Sequence, residues 1–344
     1  MKKPHLYLAL ILSLSLFVSA NSFESFPAAP GSEDEGTAVQ RLTEEIARFE
    51  KSTGGSVGVG SFHLETGRSF YYNKDIRYPM ASTFKIPIAV KLLSLVEKGD
   101  ISLSDMTEVQ KSDLHPGSGT IARLLDDPGV TLSVQNLLEL MLLISDNSAT
   151  DLCLKYVGGS QSVTQKMREI GITDMDISRP TYVAIANFLG VTSAKESEPY
   201  SDDDLVRELR QLSKEQREQA ARDFSKDTQD TSTPAAMAQL LQKIWNKEIL
   251  SQENSEYLLD IMKRCQTGDA RLKGILPSGT TVHHKTGTIG ATTNDVGIIE
   301  LPGDAGNAIT VIFIKEAKID TEQSEEVIAQ IARSLYDFYL FTSQ

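Results

Sequence analysis

The chain has 344 residues, 40% of them hydrophobic and 24% charged, a globular mixture that excludes a disordered, collagen-like or multi-span membrane protein. Its 47 Asp and Glu against 34 Lys and Arg give −13 at pH 7, which argues against a nucleic-acid partner, since phosphate binding wants a basic face. Two cysteines, Cys153 and Cys265, exclude a disulfide scaffold and a Cys-rich metal site.

Lys2 and Lys3 precede an apolar run from Leu6 to Val18, followed by the small residues Ser19 and Ala20. This is the layout of a secretory signal peptide cleaved near Ala20; an uncleaved N-terminal anchor is the alternative, although the run is short for a membrane span. The address would be periplasmic or secreted, with no stable membrane insertion after processing. Residues 1–20 carry two Lys and no acids, so their removal takes the net charge to −15. Residues 21–36, with Pro27, Pro30 and an acidic run, read as a flexible leader. Export permits a Cys153–Cys265 disulfide, and two separate buried thiols fit equally well.

Leu42, Ile46 and Phe49 at helical spacing predict an amphipathic helix over Thr37–Ser52, stopped by Gly54-Gly55. Ser56–His63 and Arg68–Tyr72 read as strands of a hairpin. Helices are predicted at Ser82–Lys98, at Thr131–Ser145 with Thr131 as cap, and at Ala149–Val157, Ser160–Ile170 and Pro234–Trp245. Between them Ser201–Phe224 is highly charged and reads as a solvated surface helix with Leu205, Leu209 and Leu212 as a thin apolar stripe. Val282–Lys285, Asp295–Leu301 and Ala308–Lys315 return to strand character, and Thr321–Phe341 closes as a long amphipathic helix. Strands at both ends predict one sheet shared by the two ends, in a discontinuous α/β lobe over 37–80 and 270–344. Residues 81–269 would form an all-helical lobe, and a cleft between the lobes is where a site belongs.

Three short motifs carry chemistry. Ser82-Thr83-Phe84-Lys85 places a hydroxyl and an amine three positions apart on one helix face, so Lys85 can reach Ser82 and, with a lowered pKa, take its proton. Ser145-Asp146-Asn147 offers a relay hydroxyl in Ser145, a turn anchor in Asp146 and a side-chain amide for substrate in Asn147. Lys285-Thr286-Gly287-Thr288 offers a strand with a cation, hydroxyls and a glycine that permits close backbone approach. Each motif alone is also an ordinary helix start, helix end or strand end. Each occurs once, in this order, on the element its role needs.

Together these motifs make the chain resemble the penicillin-recognising serine hydrolases, and among them the class A β-lactamases. Thr231–Ala238, Thr267-Gly268-Asp269-Ala270-Arg271 and Thr293-Asn294-Asp295 carry the resemblance further, from about Thr37 to the C-terminus. It implies the β-lactamase/transpeptidase-like α/β fold: an antiparallel sheet flanked by the N- and C-terminal helices, plus an all-helical lobe. It implies that Ser82 is acylated, that Lys85 takes part in the proton transfer, and that Ser145 passes a proton to the departing nitrogen. Backbone N–H groups of Ser82 and Thr288 would form the oxyanion hole. Lys285, Thr286 and Thr288 would hold the substrate carboxylate. Arg271 matches a carboxylate-binding arginine of some class A enzymes, or is a surface arginine. No cofactor and no metal is expected, since His283-His284 on a strand point to opposite faces. The partner would be a β-lactam or a peptidoglycan stem peptide, acted on by a monomer.

The sequence also departs from the family. Its omega-loop glutamate, in Glu-x-x-Leu-Asn, is missing. Arg179 and Asp230 look like the loop's salt-bridged entrance and exit, but Pro180-Thr181-Tyr182 stands where the glutamate is expected. The loop region, about 180–230, looks expanded by Asn187–Asp227. Asp151 replaces an asparagine that supports this loop, and Gly117-Ser118-Gly119 replaces an aromatic at the cleft rim. Glu196, Glu198 and Asp151 are candidate substitute bases, and Lys85 can serve both half-reactions. Three functions follow: a serine β-lactamase, a D,D-peptidase or esterase with slow deacylation, and a non-enzymatic receptor for β-lactams or stem peptides.

Overall fold

The computed structural model describes residues 33–198 and 200–342, so the candidate signal segment and most of the leader lie outside the described residues. Helix α1 (Glu33–Thr53) starts four positions before the expected one and takes in the end of the leader. It leads into β1 (Ser56–His63) and β2 (Ser69–Tyr72), the expected hairpin. A short β3 (Tyr78–Pro79) precedes a 3-10 turn at Ala81–Phe84, which runs into α2 (Lys85–Lys98). Next come β4 (Met106–Glu108), α3 (Ile121–Leu124) and β5 (Thr131–Ser133). Thr131 is therefore in a strand, not a cap. Ser133 caps α4 (Val134–Leu143), its hydroxyl accepting from Asn136 N at 3.1 Å, because the hydroxyl must sit just before the first turn to meet its free N–H groups.

Helices α5 (Asn147–Tyr156), α6 (Ser160–Glu169) and α7 (Thr181–Phe188) follow. The expected surface helix is two helices, α8 (Asp202–Leu209) and α9 (Lys214–Phe224). Ser213 breaks it: its hydroxyl caps α9 and Gln216 bonds back to the Ser213 N–H, a reciprocal start signal. Then come β6 (Thr231–Ser232), α10 (Pro234–Trp245), α11 (Gln252–Lys263), β7 (Val282–Ile289), β8 (Thr292–Glu300), β9 (Asn307–Lys315) and α12 (Thr321–Thr342).

The main sheet is antiparallel, in the order β2-β1-β9-β8-β7, so strands from both ends of the sequence do share it. Its centre shows why β9 is apolar between its ends, apart from the buried Thr310. Ile309, Val311 and Phe313 face α10 and the helical region, while Ile312 and Ile314 face α1 and α12 with Ile46, Ile328 and Leu335. Alternate residues of a strand point to opposite faces, so a strand covered on both is apolar on both. The sheet ends at β7, which is largely buried and packs against α11 and the 3-10 turn. Among the described residues, no helix is long and apolar enough to cross a membrane. Cys153 in α5 and Cys265 after α11 are separate buried thiols, which settles the pairing question against a disulfide.

Candidate active site

A cleft of about 390 Å³ lies between the 3-10 turn, the Ser145 turn, α7 and the edge strand β7. Ser82 lines it from the 3-10 turn. Side chains three apart eclipse in such a turn, which brings Lys85 to the same side. The turn is entered through Ala81 at φ +45°, a conformation that L-residues adopt only under constraint. Part of that constraint is visible: Asn294 Nδ2 donates to Pro79 O at 2.8 Å and to Met80 O at 3.0 Å, tying β8 to the segment before Ser82. Gly287 completes the junction. A Cβ there would lie 2.6 Å from Met80 O and 2.9 Å from Ser82 N, so only glycine lets β7 approach Ser82 this closely.

Ser145 is not at the end of the Leu-rich helix, as the sequence implied, but in a left-handed residue between α4 and α5, at φ +60°. Its carbonyl accepts from Lys85 Nζ at 2.7 Å and from Ser118 Oγ at 2.6 Å. Asp146 anchors the turn as expected: its carboxylate caps α5 at Ala149 N and accepts from Thr120 N and Ile121 N, at 2.6 to 2.9 Å. Asn147 Nδ2 donates to Pro116 O at 2.8 Å, and its Oδ1 accepts from Lys85 at 3.0 Å.

Two buried lysines meet at the Ser145 hydroxyl. Lys85 Nζ lies 3.1 Å from Ser145 Oγ, and Lys285 Nζ lies 3.0 Å from it while also donating to Thr286 O at 2.9 Å. Burial, then the charge of Lys285, pushes the Lys85 ammonium well below its ordinary 10.5, against the pull of Asp151 and Asp146. Burial brings Lys285 down to about 8, with Arg271 pushing the same way. The hydrogen bonds of Lys85 go to Ser145 and Asn147 rather than to Ser82. A neutral amine has two N–H groups, which Ser145 O and Asn147 Oδ1 accept. Its lone pair is then left for a proton.

Thr286 and Thr288 also line the cleft, and Thr286 Oγ1 shares a 2.6 Å hydrogen bond with Thr267 Oγ1. Arg271 is 5% exposed, which removes the surface reading. It donates to Glu325 at 3.0 Å, to Gly287 O and Asn294 O, and to Thr288 Oγ1 at 2.6 Å, clamping the end of β7. His283 and His284 do turn to different partners, His283 to Leu259 O and Glu300, His284 to Asp295. Among the described residues, no group of His, Cys, Asp and Glu is arranged to hold a metal.

The region replacing the omega loop is ordered by its ends. Arg179 Nε binds Asp230 Oδ2 at 2.5 Å, the expected entrance-to-exit pairing, and Arg179 Nη1 also binds Asp227 at 2.8 Å. Asp151 accepts from Thr181 N at 2.7 Å and Tyr182 N at 3.1 Å, so it holds the first turn of α7 from behind. Burial raises its pKa. Thr181, Ala184 and Ile185 present α7 to the cleft, joined by Phe224 of α9. The candidate substitute bases are elsewhere. Glu196 Oε1 accepts from Ser160 N and Oγ, fastening α6, and Glu198 pairs with Lys195 at the surface. Among the described residues the only acid lining the cleft is Asp230, held by Arg179.

Sequence reasoning missed α7, although Pro180 at its start with Val183 and Ala186 three apart was a usable signal. It also missed the hydrogen bonds by which Ser118 and Asn294 hold the two strained turns. No local pattern announces contacts between residues so far apart in sequence.

A sequence model of the beta-lactamase enzyme family matches residues 41–339. Beta-lactamase VEB-1 of Pseudomonas aeruginosa is 31% identical over 308 residues, covering 87% of this chain and 90% of its own. The crystal structure of TLA-1 extended-spectrum beta-lactamase superposes with a TM-score of 0.71 at 28% identity, over 88% of this chain and 99% of that one. An acyl-enzyme complex of a PBP-A mutant with penicillin G is also similar, with a TM-score of 0.69 at 25% identity, over 89% and 97%. With its Ser82 turn, its paired lysines and these relatives in agreement, the chain belongs to the beta-lactamase enzyme family, in the class A serine branch.

Proposed function

We propose that this protein opens β-lactam rings through an acyl-enzyme on Ser82 and releases the product slowly. The observation that carries the reading is the Ser145 hydroxyl shared by two buried lysines. Ser82 Oγ attacks the lactam carbonyl and its proton passes to neutral Lys85, directly or through water. The C–N bond breaks as the tetrahedral intermediate collapses. The proton then returns through Ser145 to the departing nitrogen, so Lys85 ends neutral. The N–H groups of Ser82 and Thr288 stabilise the oxyanion, and Lys285, Thr286 and Thr288 take the substrate carboxylate. Asn147 faces the acyl amide. Arg271 acts through Thr288, whose hydroxyl it orients, rather than by direct contact with substrate.

Deacylation needs a base for water, and among the described residues the one acid lining the cleft is already paired. Lys85 is then the base for both half-reactions, and the slower second step leaves the acyl-enzyme as the main species. That same observation supports a second reading, a D,D-peptidase whose natural substrate is a stem peptide. Comparing hydrolysis of a chromogenic cephalosporin with release of D-Ala from a D-Ala-D-Ala peptide separates the two. Ring opening abolished by Ser82→Ala supports the first reading, and peptide release without ring opening contradicts it. The N-terminal lysines and apolar run support export with cleavage near Ala20, and the monomeric state follows the family reading. The mass of the protein from the culture medium or periplasm, and light scattering in solution, test these two points.

A further inference from the structure

We propose that Thr267, with Cys265 behind it, is a positioning residue: the two fix the direction of a hydrogen-bond chain, so that the Thr286 hydroxyl offers its hydrogen to the anionic group of the substrate. The proposal rests on the reading that Thr286 holds the substrate carboxylate.

Three side chains stand in line at the edge of the cleft. Cys265 Sγ lies 3.3 Å from Thr267 Oγ1, and Thr267 Oγ1 lies 2.6 Å from Thr286 Oγ1. Thr267 and Thr286 line the cleft, while Cys265 is buried behind them. Each of the three groups has one hydrogen to donate, and a carboxylate can only accept. With the anion at Thr286, the Thr286 hydrogen goes to the anion and its oxygen accepts from Thr267. The Thr267 oxygen is then left to accept from the Cys265 thiol. A bound anion therefore allows one direction only, from Cys265 to Thr267 to Thr286 to substrate. The reverse direction ends on sulfur, a weak acceptor, and turns the Thr286 hydrogen away from the ligand. Hydrogen bonds in a line polarise one another, which strengthens the last donor.

The line is held rigidly. Gly268, at φ +78°, follows Thr267, and a Cβ there would lie 2.3 Å from Thr286 Cγ2. Glycine lets the loop close on the Thr286 methyl group. Threonine is stiff about χ1, so a methyl held on that side keeps the hydroxyl toward Thr267. The loop itself is tied down. Gln266 N donates to Leu143 O at 2.9 Å, Arg271 N donates to Gly268 O at 2.9 Å, and Lys273 Nζ donates to Cys265 O at 3.3 Å.

The test compares acylation rate constants, at sub-saturating concentration, for a penicillin with a free carboxylate and for its methyl ester. The native protein is expected to favour the acid by at least about a hundredfold, because charge-assisted hydrogen bonds become weaker neutral ones in the ester. Thr267→Val keeps the branched shape and removes the hydroxyl. It should lower the acid-to-ester ratio about tenfold while the ester reacts within about twofold of native. Thr267→Ser restores the donor and should keep the ratio within about twofold. Cys265→Ala should lower the ratio about threefold, and Cys265→Ser, which places a hydroxyl donor there, should keep it. A role in packing alone would slow acid and ester alike. Equal losses in Cys265→Ala and Cys265→Ser overturn the part given to Cys265. A ratio unchanged by Thr267→Val overturns the chain and leaves the carboxylate reading of Thr286 standing. Equal rates for acid and ester in the native protein overturn that reading and the chain with it.

Discussion

Two walls of one cleft were built under different rules. On one side stand the 3-10 turn with Ser82, the Ser145 turn and β7. On the other stand α7 and α9. The first wall is polar, buried and over-determined: Ala81 and Ser145 sit at φ +45° and +60°, conformations costing on the order of 1 kcal/mol or more each. Asn294, Ser118 and Lys85 offset that strain with hydrogen bonds to the turn carbonyls. The second wall is apolar and rests on a small core of its own, Val183, Ala186, Val191, Ala194 and Leu205, anchored by Arg179 with Asp230 and by Asp151 under α7. Proton-transfer chemistry tolerates little change of position, so the first wall is fixed. Substrate shape tolerates more, so the second is free to differ.

If this division is right, the largest effect must fall on the first wall. Ser82→Ala should lower ring opening on the order of 10⁴-fold or more with unchanged thermal stability, measured by steady-state kinetics and calorimetry. Ser145→Ala removes the hydroxyl shared by the lysines. Acylation should fall about 10²- to 10³-fold, with substrate affinity changing far less.

The pH profile sharpens the contrast between the two lysines. With Lys85 as the proposed neutral base, acylation rises as pH climbs through its lowered pKa. With Lys285 as the proposed cation, the rate falls as pH climbs through about 8. The acylation rate constant, followed against pH, should be bell-shaped with its alkaline limb near that value. A profile still rising well above pH 9 would remove Lys285 from the cation's role.

On the second wall the effects are smaller. Thr181→Glu puts a carboxylate at the first turn of α7, facing the cleft, and should speed loss of the acyl group by about tenfold with little change in acylation. Trapping the adduct and following its decay measures this. Glu196→Gln and Glu198→Gln should each change deacylation by less than about twofold, because neither reaches the cleft. Glu196→Gln weakens the hold on α6 and should lower stability by about 1 kcal/mol in urea unfolding.

Legibility followed the same division. The hairpin, the sheet shared by both ends and the C-terminal helix were readable because their apolar periods are set locally. Ser82, Lys85, Ser145 and Lys285 were readable as motifs, and the structure brings three of them, Lys85, Ser145 and Lys285, into hydrogen-bonding distance. The turn holding Ser145 was misplaced because its left-handed backbone is imposed by Ser118 and Lys85, neither adjacent in sequence. Asp151 read as a candidate base, but its carboxylate is occupied by two N–H groups of α7, a helix the sequence reading had not found. Glu196 failed for the same kind of reason: proximity in a segment does not fix which way a side chain turns. Arg271 read as either a substrate ligand or a surface residue, and is a buried clamp on β7, a role only the sheet register makes visible.

The central claim is that Ser82 is acylated quickly and released slowly because, among the described residues, no free carboxylate lines the cleft. Intact-protein mass, sampled over time after mixing with a penicillin, tests it most directly. The account predicts a single acyl adduct that forms within the first turnover, is absent in Ser82→Ala, persists as the main species and decays faster in Thr181→Glu. Rapid hydrolysis with no accumulated adduct in the native protein would contradict it, and would mean that a base other than those lining this cleft activates the water.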